Sequence, residues 1–390
     1  MTSSAPQIVI RDLCSIDDLV QLKAVEKQVW RMDEADTIPL TLAIALKEAG
    51  NIFVGAFDTN KPDKRGQGAS AKDRDKHNDK EKARSDISGR DSDGAGKHDE
   101  KMVGFAFGFL GREHGETAIH SHMLAVLESY RHLDLGKRLK LAQRERALAM
   151  GVREMTWTFD PLQSRNAHFN FAKLGVLSDA YKVDFYGPET SSVLHRNGTD
   201  RLWVRWLLDS RRVRDRIASA VVTPNPRALA DKTRVSGNEP QATRGVRADE
   251  DPQWDGDLGG SEDSRGASKD GRENSDPRVS KDPRGEALDA LRLLAPVVRF
   301  DGNGRPAPSD LDEALARERV SIEIPGNILA VEQADMGLAR AWRESTRWAF
   351  RESLKAGFVV AEYCRSIRGR QGPGAYLLVR GNIAEFKDRL

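Results

Sequence analysis

The sequence lacks the residues on which several classes of protein depend. Only two cysteines occur in 390 residues, Cys14 and Cys364, so neither a disulfide framework nor a cysteine-rich metal site is indicated. The longest apolar run, residues 102–110, is too short to cross a bilayer, and the opening MTSSAPQ has neither the charged nor the apolar region of a signal peptide. We therefore expect a cytoplasmic protein without membrane contact.

Hydrophobic residues are also scarce for this length, at 38%, while 31% of the residues are charged. Two segments, residues 60–101 and 227–287, mix charged residues with Gly and Ser and hold few large apolar side chains. Burial there could not offset the backbone entropy of ordering, about 1–2 kcal/mol per residue, so we predict that both are disordered. The chain then divides into a domain at 1–210 with the first segment as an insertion, a largely disordered linker at 211–287, and a C-terminal α/β subdomain at 288–390.

A strong charge of one sign is missing as well. The net charge is +2, and acidic and basic residues are interspersed, which disfavours a nucleic-acid partner. Runs such as Lys72-Asp73-Arg74 could contact RNA or another protein, but a solvated linker is the preferred interpretation. Nucleic-acid or partner binding through these segments stays an alternative.

Two common phosphate-binding loops are absent, since the sequence has neither G-x-x-x-x-G-K-[ST] nor G-x-G-x-x-G between a strand and a helix. What it has, from residue 122, is an apolar strand, a polar turn and a helix. Arg131, Lys137 and Arg138 surround the turn, and Gly136 lets the backbone approach a ligand. Because the first N–H groups of a helix lack internal partners and its dipole is positive there, we predict a pyrophosphate site.

This turn resembles the acetyl-CoA-binding loop of the GNAT acyltransferases, whose pattern is Arg or Gln, two residues, Gly, one residue, then Gly or Ala. The segments LAVLESYR, WTFDPLQSRNAHFNFAKLG, YKVDFYG and DRLWVRW follow in order, and they extend the resemblance over residues 7–58 and 102–210 to the branch known as predicted GNAT acetyltransferases. Asp134 departs from the pattern. It replaces the first glycine and places a carboxylate beside the expected phosphates, which should weaken binding unless a neighbouring cation neutralises it.

The resemblance implies a fold and a co-substrate. The fold is α/β, of the α+β kind, with a mixed, mostly antiparallel sheet flanked by helices, and the co-substrate is acetyl-CoA or another acyl-CoA, with no metal. Asn166 is expected to touch pantetheine, although an Asn at a helix start is also an ordinary N-cap. The other expected coenzyme contacts are Leu124, Ala125 and Val126 on the fourth strand, and Arg131, His132, Leu133, Asp134, Leu135, Gly136 and Lys137 in the turn.

Catalytic groups are harder to assign. Phe171 stands where the family usually has a tyrosine that protonates the leaving thiolate, so Tyr181, Tyr186 or water would have to replace it, and we select Tyr186. His120 and His122 would share one face of the fourth strand, and with a pKa near 6.5 either imidazole could accept a proton from an attacking amine. Surface histidines or a metal pair are the alternatives. Asp160 and Glu116 are weaker base candidates, and we expect Trp157, Trp203 and Trp206 to fill the core.

The C-terminal region contains a short sequence repeat of the first domain. Residues 350–358 repeat features of residues 169–176, including the Lys-x-Gly-apolar ending. The region has no phosphate loop, and we interpret it as an imitation of the second half of a GNAT domain.

These observations predict an acyl-CoA-dependent N-acyltransferase that acts on a primary amine of a small molecule or amino acid, as a monomer or homodimer. A catalytically silent acyl-CoA-binding or scaffolding module is the alternative, because Asp134 and Phe171 both depart from the family pattern.

Overall fold

A computed structural model of the chain describes residues 5–31, 34–60, 100–187, 196–219, 294–365, 367 and 372–386. The two segments predicted to be disordered lie outside these residues, apart from Asn60, Glu100 and Lys101. In the described part of the chain, no helix combines the length and the apolar character needed to span a membrane. The chain forms two units. The first comprises Met1–Leu110 and Ser121–Ala147, and the second comprises Gly111–His120 and Leu148–Leu390.

The first unit contains a sheet in the order β1-β2-β3-β4, with antiparallel pairing of β1 with β2 and of β2 with β3. Its strands are β1 (Ile8–Asp12), β2 (Ile52–Asp58), most of β3 (Lys101–Glu113) and the second half of β4 (Glu116–Val126). Its helices are α1 (Ile16–Trp30), α2 (Leu40–Glu48) and nearly all of α3 (Leu135–Ala149). α1 begins with a capping box, in which Ser15 and Asp18 each accept a hydrogen bond from the other's backbone N–H.

A polar cluster is buried between α3 and β4 in this unit. The Lys140 ammonium donates to Ser121 Oγ at 2.7 Å, and this hydroxyl donates to Gln143 Oε1 at 2.8 Å. All three side chains are buried. Burial lowers the pKa of Lys140 well below its ordinary value, because the charged form loses its hydration.

The second unit contains a longer sheet in the order β4-β5-β7-β6-β11-β12-β10-β8-β9, in which the first half of β4 takes part. The prediction of a mixed, mostly antiparallel sheet flanked by helices is confirmed. Its further strands are β5 (Glu154–Phe159), β6 (Leu177–Lys182), β7 (Arg201–Leu207), β8 (Ala295–Phe300), β9 (Pro306–Pro308), β10 (Arg319–Ile324), β11 (Phe358–Cys364) and β12 (Gly374–Arg380).

The helices of the second unit alternate with these strands or follow them along the chain. They are α4 (Ser164–Ala167), which continues as a π-helix (His168–Leu174), then α5 (Arg211–Ser219), α6 (Leu311–Leu315), α7 (Ile328–Ala334), α8 (Met336–Lys355) and α9 (Ile383–Phe386). The apolar stripe of α8 buries Ala339, Trp342, Ala349 and Phe350. α5 occupies the start of the segment predicted to be a largely disordered linker. Its Arg212 is buried, and it donates to Gly175 O at 3.0 Å and to Glu362 Oε1 at 2.8 Å.

Strand pairing in the C-terminal region repeats the pairing that precedes it. β4 is parallel to β5, which pairs with β7, which pairs with β6; likewise β8 is parallel to β10, which pairs with β12, which pairs with β11. The two sets join where Ser178 of β6 faces Val360 of β11. Each of these residues lies three positions after a left-handed glycine, Gly175 at φ 75° and Gly357 at φ 83°. Equivalent positions of the two repeats therefore face each other across an antiparallel strand pair.

Burial of Lys140 predicts a pH-dependent stability. The unfolded chain has an ordinary lysine pKa of about 10.4, so below that pH it binds a proton that the native Lys140 holds more weakly. The free energy of unfolding then rises with pH, by at most about 1.4 kcal/mol per pH unit for this group. In Lys140→Met, we expect a smaller rise between about pH 7 and 9, measured by urea unfolding. Lys27→Met, at an exposed position, is the control, and parallel curves for the wild type and Lys140→Met would contradict the expectation.

Candidate functional site

The turn predicted to bind pyrophosphate joins β4 to α3 through a short 3-10 helix, Glu128–Leu133. Asp134 follows in the left-handed conformation, with φ 52° and ψ 28°, and α3 begins at the next residue. The Asp134 carbonyl accepts hydrogen bonds from the N–H groups of Lys137 at 3.1 Å and Arg138 at 3.2 Å. These two amides are therefore used by the helix, and the amides of Leu135 and Gly136 are the ones that the start of a helix offers to a ligand.

The conformation of Asp134 explains how an acid stands where the acetyl-CoA loop has a glycine. A left-handed residue is easiest for glycine, and Asp is among the few other residues that adopt this conformation readily. The side chain of Asp134 is exposed. The backbone path of a glycine turn is thus kept, and what the substitution adds is a negative charge.

A buried hydrogen bond ties this turn to the sheet. The Tyr130 hydroxyl donates to Asp58 Oδ2 at 2.8 Å, and both side chains are buried. Burial and the neighbouring Asp58 carboxylate together raise the pKa of Tyr130 to about 12. The tyrosine therefore stays protonated and keeps donating across the physiological range. The residue types alone did not indicate this contact, because 72 residues separate its two ends.

The remaining residues of the turn divide into core and surface. Leu135 is buried, Lys137 is 8% exposed, and His132 is exposed. Arg131 Nε donates to the carbonyl of Val126, the last residue of β4, at 3.3 Å. A Cβ added at Gly136 would meet one atom within 4 Å, Leu124 Cδ2 at 3.9 Å, so the fold itself has room for a side chain there. The glycine therefore leaves open space over the first turn of α3.

Four aromatic rings and one lysine lie together in the second unit. We call this group the Trp203 cluster, and it comprises His120, Phe185, Tyr186, Trp203 and Lys182. The His120 ring stacks on Trp203 with centroids 4.9 Å apart, Phe185 lies 6.3 Å from Trp203, and Phe185 packs edge-on to Tyr186 at 4.9 Å. The Lys182 ammonium lies 5.8 Å from the centre of the Trp203 ring. Two of the predicted catalytic residues, His120 and Tyr186, are therefore joined by a continuous aromatic surface.

The three tryptophans do not share one environment. Trp157 and Trp206 are buried, which confirms their expected place in the core. The same expectation is wrong for Trp203, which is half-buried on β7 and supports the His120 ring. The alternation of side chains along a strand could have predicted this difference, because Trp203 and Trp206 are three residues apart and therefore point to opposite faces of β7.

The two histidines of β4 have different surroundings. His120 Nδ1 lies 3.0 Å from Thr156 Oγ1 on the paired strand β5. His122, in the first unit, packs edge-on to Phe107 with ring centroids 6.1 Å apart and lies 6.0 Å from Phe109. Part of its ring stays in contact with solvent, and burial of the rest lowers the pKa of His122.

Comparison with known proteins connects this geometry to a family. Residues 53–176, which run from β2 through the turn and α4, match the model of the acetyltransferase (GNAT) family. This part of the chain is similar to the GNAT family. No curated protein is significantly similar in sequence.

Several solved structures also resemble the chain. The NatC complex bound to Gag peptide and CoA matches 52% of this chain and 98% of its own, with 12% identity and a TM-score of 0.34. The ribosomal-protein-S18-alanine N-acetyltransferase of Escherichia coli matches 52% and 94%, with 12% identity and a TM-score of 0.33. An aminoglycoside acetyltransferase from an uncultured soil metagenomic sample, in complex with sisomicin, matches 42% and 84%, with 14% identity and a TM-score of 0.29. Scores this low add nothing to the family match.

Asn166, expected at the pantetheine of the GNAT coenzyme, is exposed in the third position of α4. The alternative that it caps this helix is wrong, because the N-cap is Gln163. Its side chain is not needed to start the helix, and the coenzyme contact stays a prediction.

Some of the candidate acids and bases are hydrogen-bonded to other residues. Phe171 is buried and has no hydroxyl. Tyr181 donates to Asp200 Oδ2 at 2.7 Å, and burial and this carboxylate raise its pKa well above the ordinary value, so it is a poor proton donor. The Tyr186 hydroxyl is exposed and lies 3.5 Å from Thr158 Oγ1. The weaker base candidate Asp160 is held by Arg343 through both oxygens, which occupies its lone pairs.

Gly136→Ala separates a folding role of this glycine from a binding role. An added methyl group has room in the structure, and alanine favours a helix by about 1 kcal/mol over glycine, so we expect unchanged or higher thermal stability. If phosphates dock against the start of α3, the same methyl group occupies their space and weakens CoA binding about tenfold or more. Isothermal titration calorimetry with CoA checks this expectation, and full affinity in a stable variant would argue against the phosphate site.

Asp134→Gly tests the electrostatic cost of the departure from the family pattern. Glycine keeps the left-handed turn while the carboxylate is removed, so we expect CoA to bind several-fold more tightly at low ionic strength, with a smaller gain in high salt. Asp134→Asn is the matched control, because it removes the charge and keeps a side chain that tolerates the left-handed region. Weaker binding by both variants would mean that the acid assists the site.

Proposed function

We propose that this protein transfers an acyl group from an acyl-CoA thioester to a primary amine of a small molecule or amino acid. The observation that carries the proposal is the left-handed conformation of Asp134, directly before the start of α3, together with the open space beside Gly136. The GNAT match across residues 53–176 gives this turn its chemical context. A cation-rich helix start of this kind suits a diphosphate.

The residues of the turn fit the coenzyme. The amides of Leu135 and Gly136 and the cations of Arg131 and Lys137 would hold the diphosphate, and the side chain of Asn166 would hold pantetheine. The main chain of Leu124, Ala125 and Val126 would orient the thioester and stabilise the negative charge that develops on its carbonyl oxygen. The coenzyme, when bound, supplies the activated acyl group.

The acceptor amine is expected at the Trp203 cluster. His120 would take a proton from the amine, whose nitrogen then attacks the thioester carbon directly, without a covalent enzyme intermediate. The carbon–sulfur bond breaks, and the thiolate receives a proton from Tyr186 or from water. The ring surface suits the apolar part of an acceptor, and the Lys182 ammonium suits a carboxylate, a combination that amino acids possess.

A catalytically silent module that binds acyl-CoA is the second candidate. It is favoured by one observation, the absence of a hydroxyl at the buried Phe171. In that case the coenzyme would bind without release of its thiol.

Titration with acetyl-CoA and succinyl-CoA, followed by assay of thiol release over a panel of amines and amino acids, distinguishes these candidates. We expect at least one donor to bind, Arg131→Ala to weaken its binding, and a subset of the amines to release free thiol. His120→Asn should lower kcat by about 10²-fold and remove the acid limb of the pH–rate profile, while donor affinity stays unchanged. Binding without thiol release for every amine would favour the silent module, and no binding of either donor would refute both.

A further inference from the structure

The turn between β5 and α4 is held from the C-terminal region. β5 ends at Phe159 and α4 begins at Ser164. Within the turn, Asp160 accepts the N–H of Leu162 on its carboxylate at 3.0 Å and the N–H of Gln163 on its carbonyl at 3.0 Å. These local bonds define a tight turn, but they do not fix its place relative to the sheet.

Three side chains from three C-terminal elements fix that place; we call Arg343, Tyr363 and Tyr376 the clamp. Arg343 of α8 donates to both oxygens of Asp160, at 2.7 and 2.8 Å. Tyr376 of β12 donates to the Pro161 carbonyl at 2.6 Å, and Tyr363 of β11 to Ser164 Oγ at 2.7 Å. All three clamp residues are buried.

The ion pair between Arg343 and Asp160 fixes the position of the turn more than it stabilises the fold. Asp160 is 8% exposed and Arg343 4%. Removing two charges from water costs about as much as their attraction returns, so apolar residues would stabilise such a position equally well. A bidentate pair instead fixes distance and angle. Arg343 is itself oriented by a bond from Nε to the Asn197 carbonyl at 2.8 Å, and the nearby carboxylates, Asp160 first among them, outweigh burial and raise its pKa.

The same clamp reaches the far side of α4. The Tyr376 ring packs edge-on against Phe171, with centroids 5.8 Å apart and an interplanar angle of 89°. Phe171 lies in the π-helical continuation of α4, and π-helical turns occur frequently at functional sites. Asn166 lies between these two points of contact. Both ends of the segment that carries Asn166 are therefore held by one C-terminal tyrosine.

We propose that Arg343, Tyr363 and Tyr376 are positioning residues of the acyltransferase site, which place Asn166 for the pantetheine of acyl-CoA by clamping the β5–α4 turn. This inference rests on the proposed function. The clamp residues are buried and act through the turn, and the C-terminal region thereby contributes to coenzyme affinity although it has no phosphate loop of its own. Their loss should change the Kd for CoA and the KM for acyl-CoA more than kcat.

The test uses the full-length protein and three substitutions. Tyr376→Phe keeps the ring on Phe171 and removes the hydroxyl, Arg343→Met removes the ion pair, and Arg343→Lys keeps the charge without the bidentate fork. We expect the Kd for CoA, measured by calorimetry, to rise about tenfold in Tyr376→Phe and more in Arg343→Met, with kcat within about twofold and an intermediate value for Arg343→Lys.

The control is Arg347→Met. Arg347 lies one turn further along α8 and donates to the buried Asp200 at 2.8 Å, but its bonds go to Asp184 and Asp200 in the β6–β7 connection rather than to the clamped turn. It should lose stability with an unchanged Kd for CoA. If Arg343 and Arg347 variants lose stability alike and both bind CoA as the wild type does, the clamp is structural and the inference is wrong. If Arg343→Met does not fold, Tyr376→Phe decides alone. Failure of the wild type to bind CoA overturns the proposed function and the inference together.

Discussion

The left-handed conformation of Asp134 is the constraint on which the proposed coenzyme site depends. Asp134 has the left-handed conformation, at φ 52°, and it directly precedes the first residue of α3. Its carbonyl then starts the hydrogen-bond series of α3 by accepting from Lys137 and Arg138. The Tyr130–Asp58 bond holds the same turn to β2. The backbone conformation of Asp134 and the buried Tyr130–Asp58 hydrogen bond therefore both hold the turn in the same position.

Charge at this turn is a compromise between conformation and binding. Glycine would give the conformation without charge, whereas Asp gives it with a carboxylate exposed beside the helix start. Arg131 and Lys137 flank that carboxylate in the sequence, so the local field at the turn is the sum of opposite contributions. Coenzyme binding would then vary with ionic strength less than in a loop built from glycine alone, because the carboxylate partly cancels the attraction of the two cations.

The C-terminal region is continuous with the second half of the acyltransferase domain. It repeats the strand pairing of that half, and equivalent residues, Ser178 and Val360, face each other at the junction. Buried Arg212 joins the two repeats by bonding to Gly175 on one side and Glu362 on the other. The sequence of this repeat has no phosphate turn, but the repeat can supply rigid support. Arg343, Tyr363 and Tyr376 each make a hydrogen bond to the β5–α4 turn or to the first residue of α4.

The sequence by itself determined the elements that arise from local pattern. They are the capping box of Ser15 and Asp18, the strand, turn and helix at residues 116–149, and the two Lys-x-Gly segments that indicate the internal repeat. These depend on neighbours within a few residues, where side-chain period and capping chemistry are readable. Only the tertiary structure decided that Trp203 supports His120 at the surface, that Asp160 is bound by Arg343, and that Tyr130 reaches Asp58. The ion pair spans 183 residues of sequence, and residue type alone cannot specify which of many distant partners a buried polar group will meet.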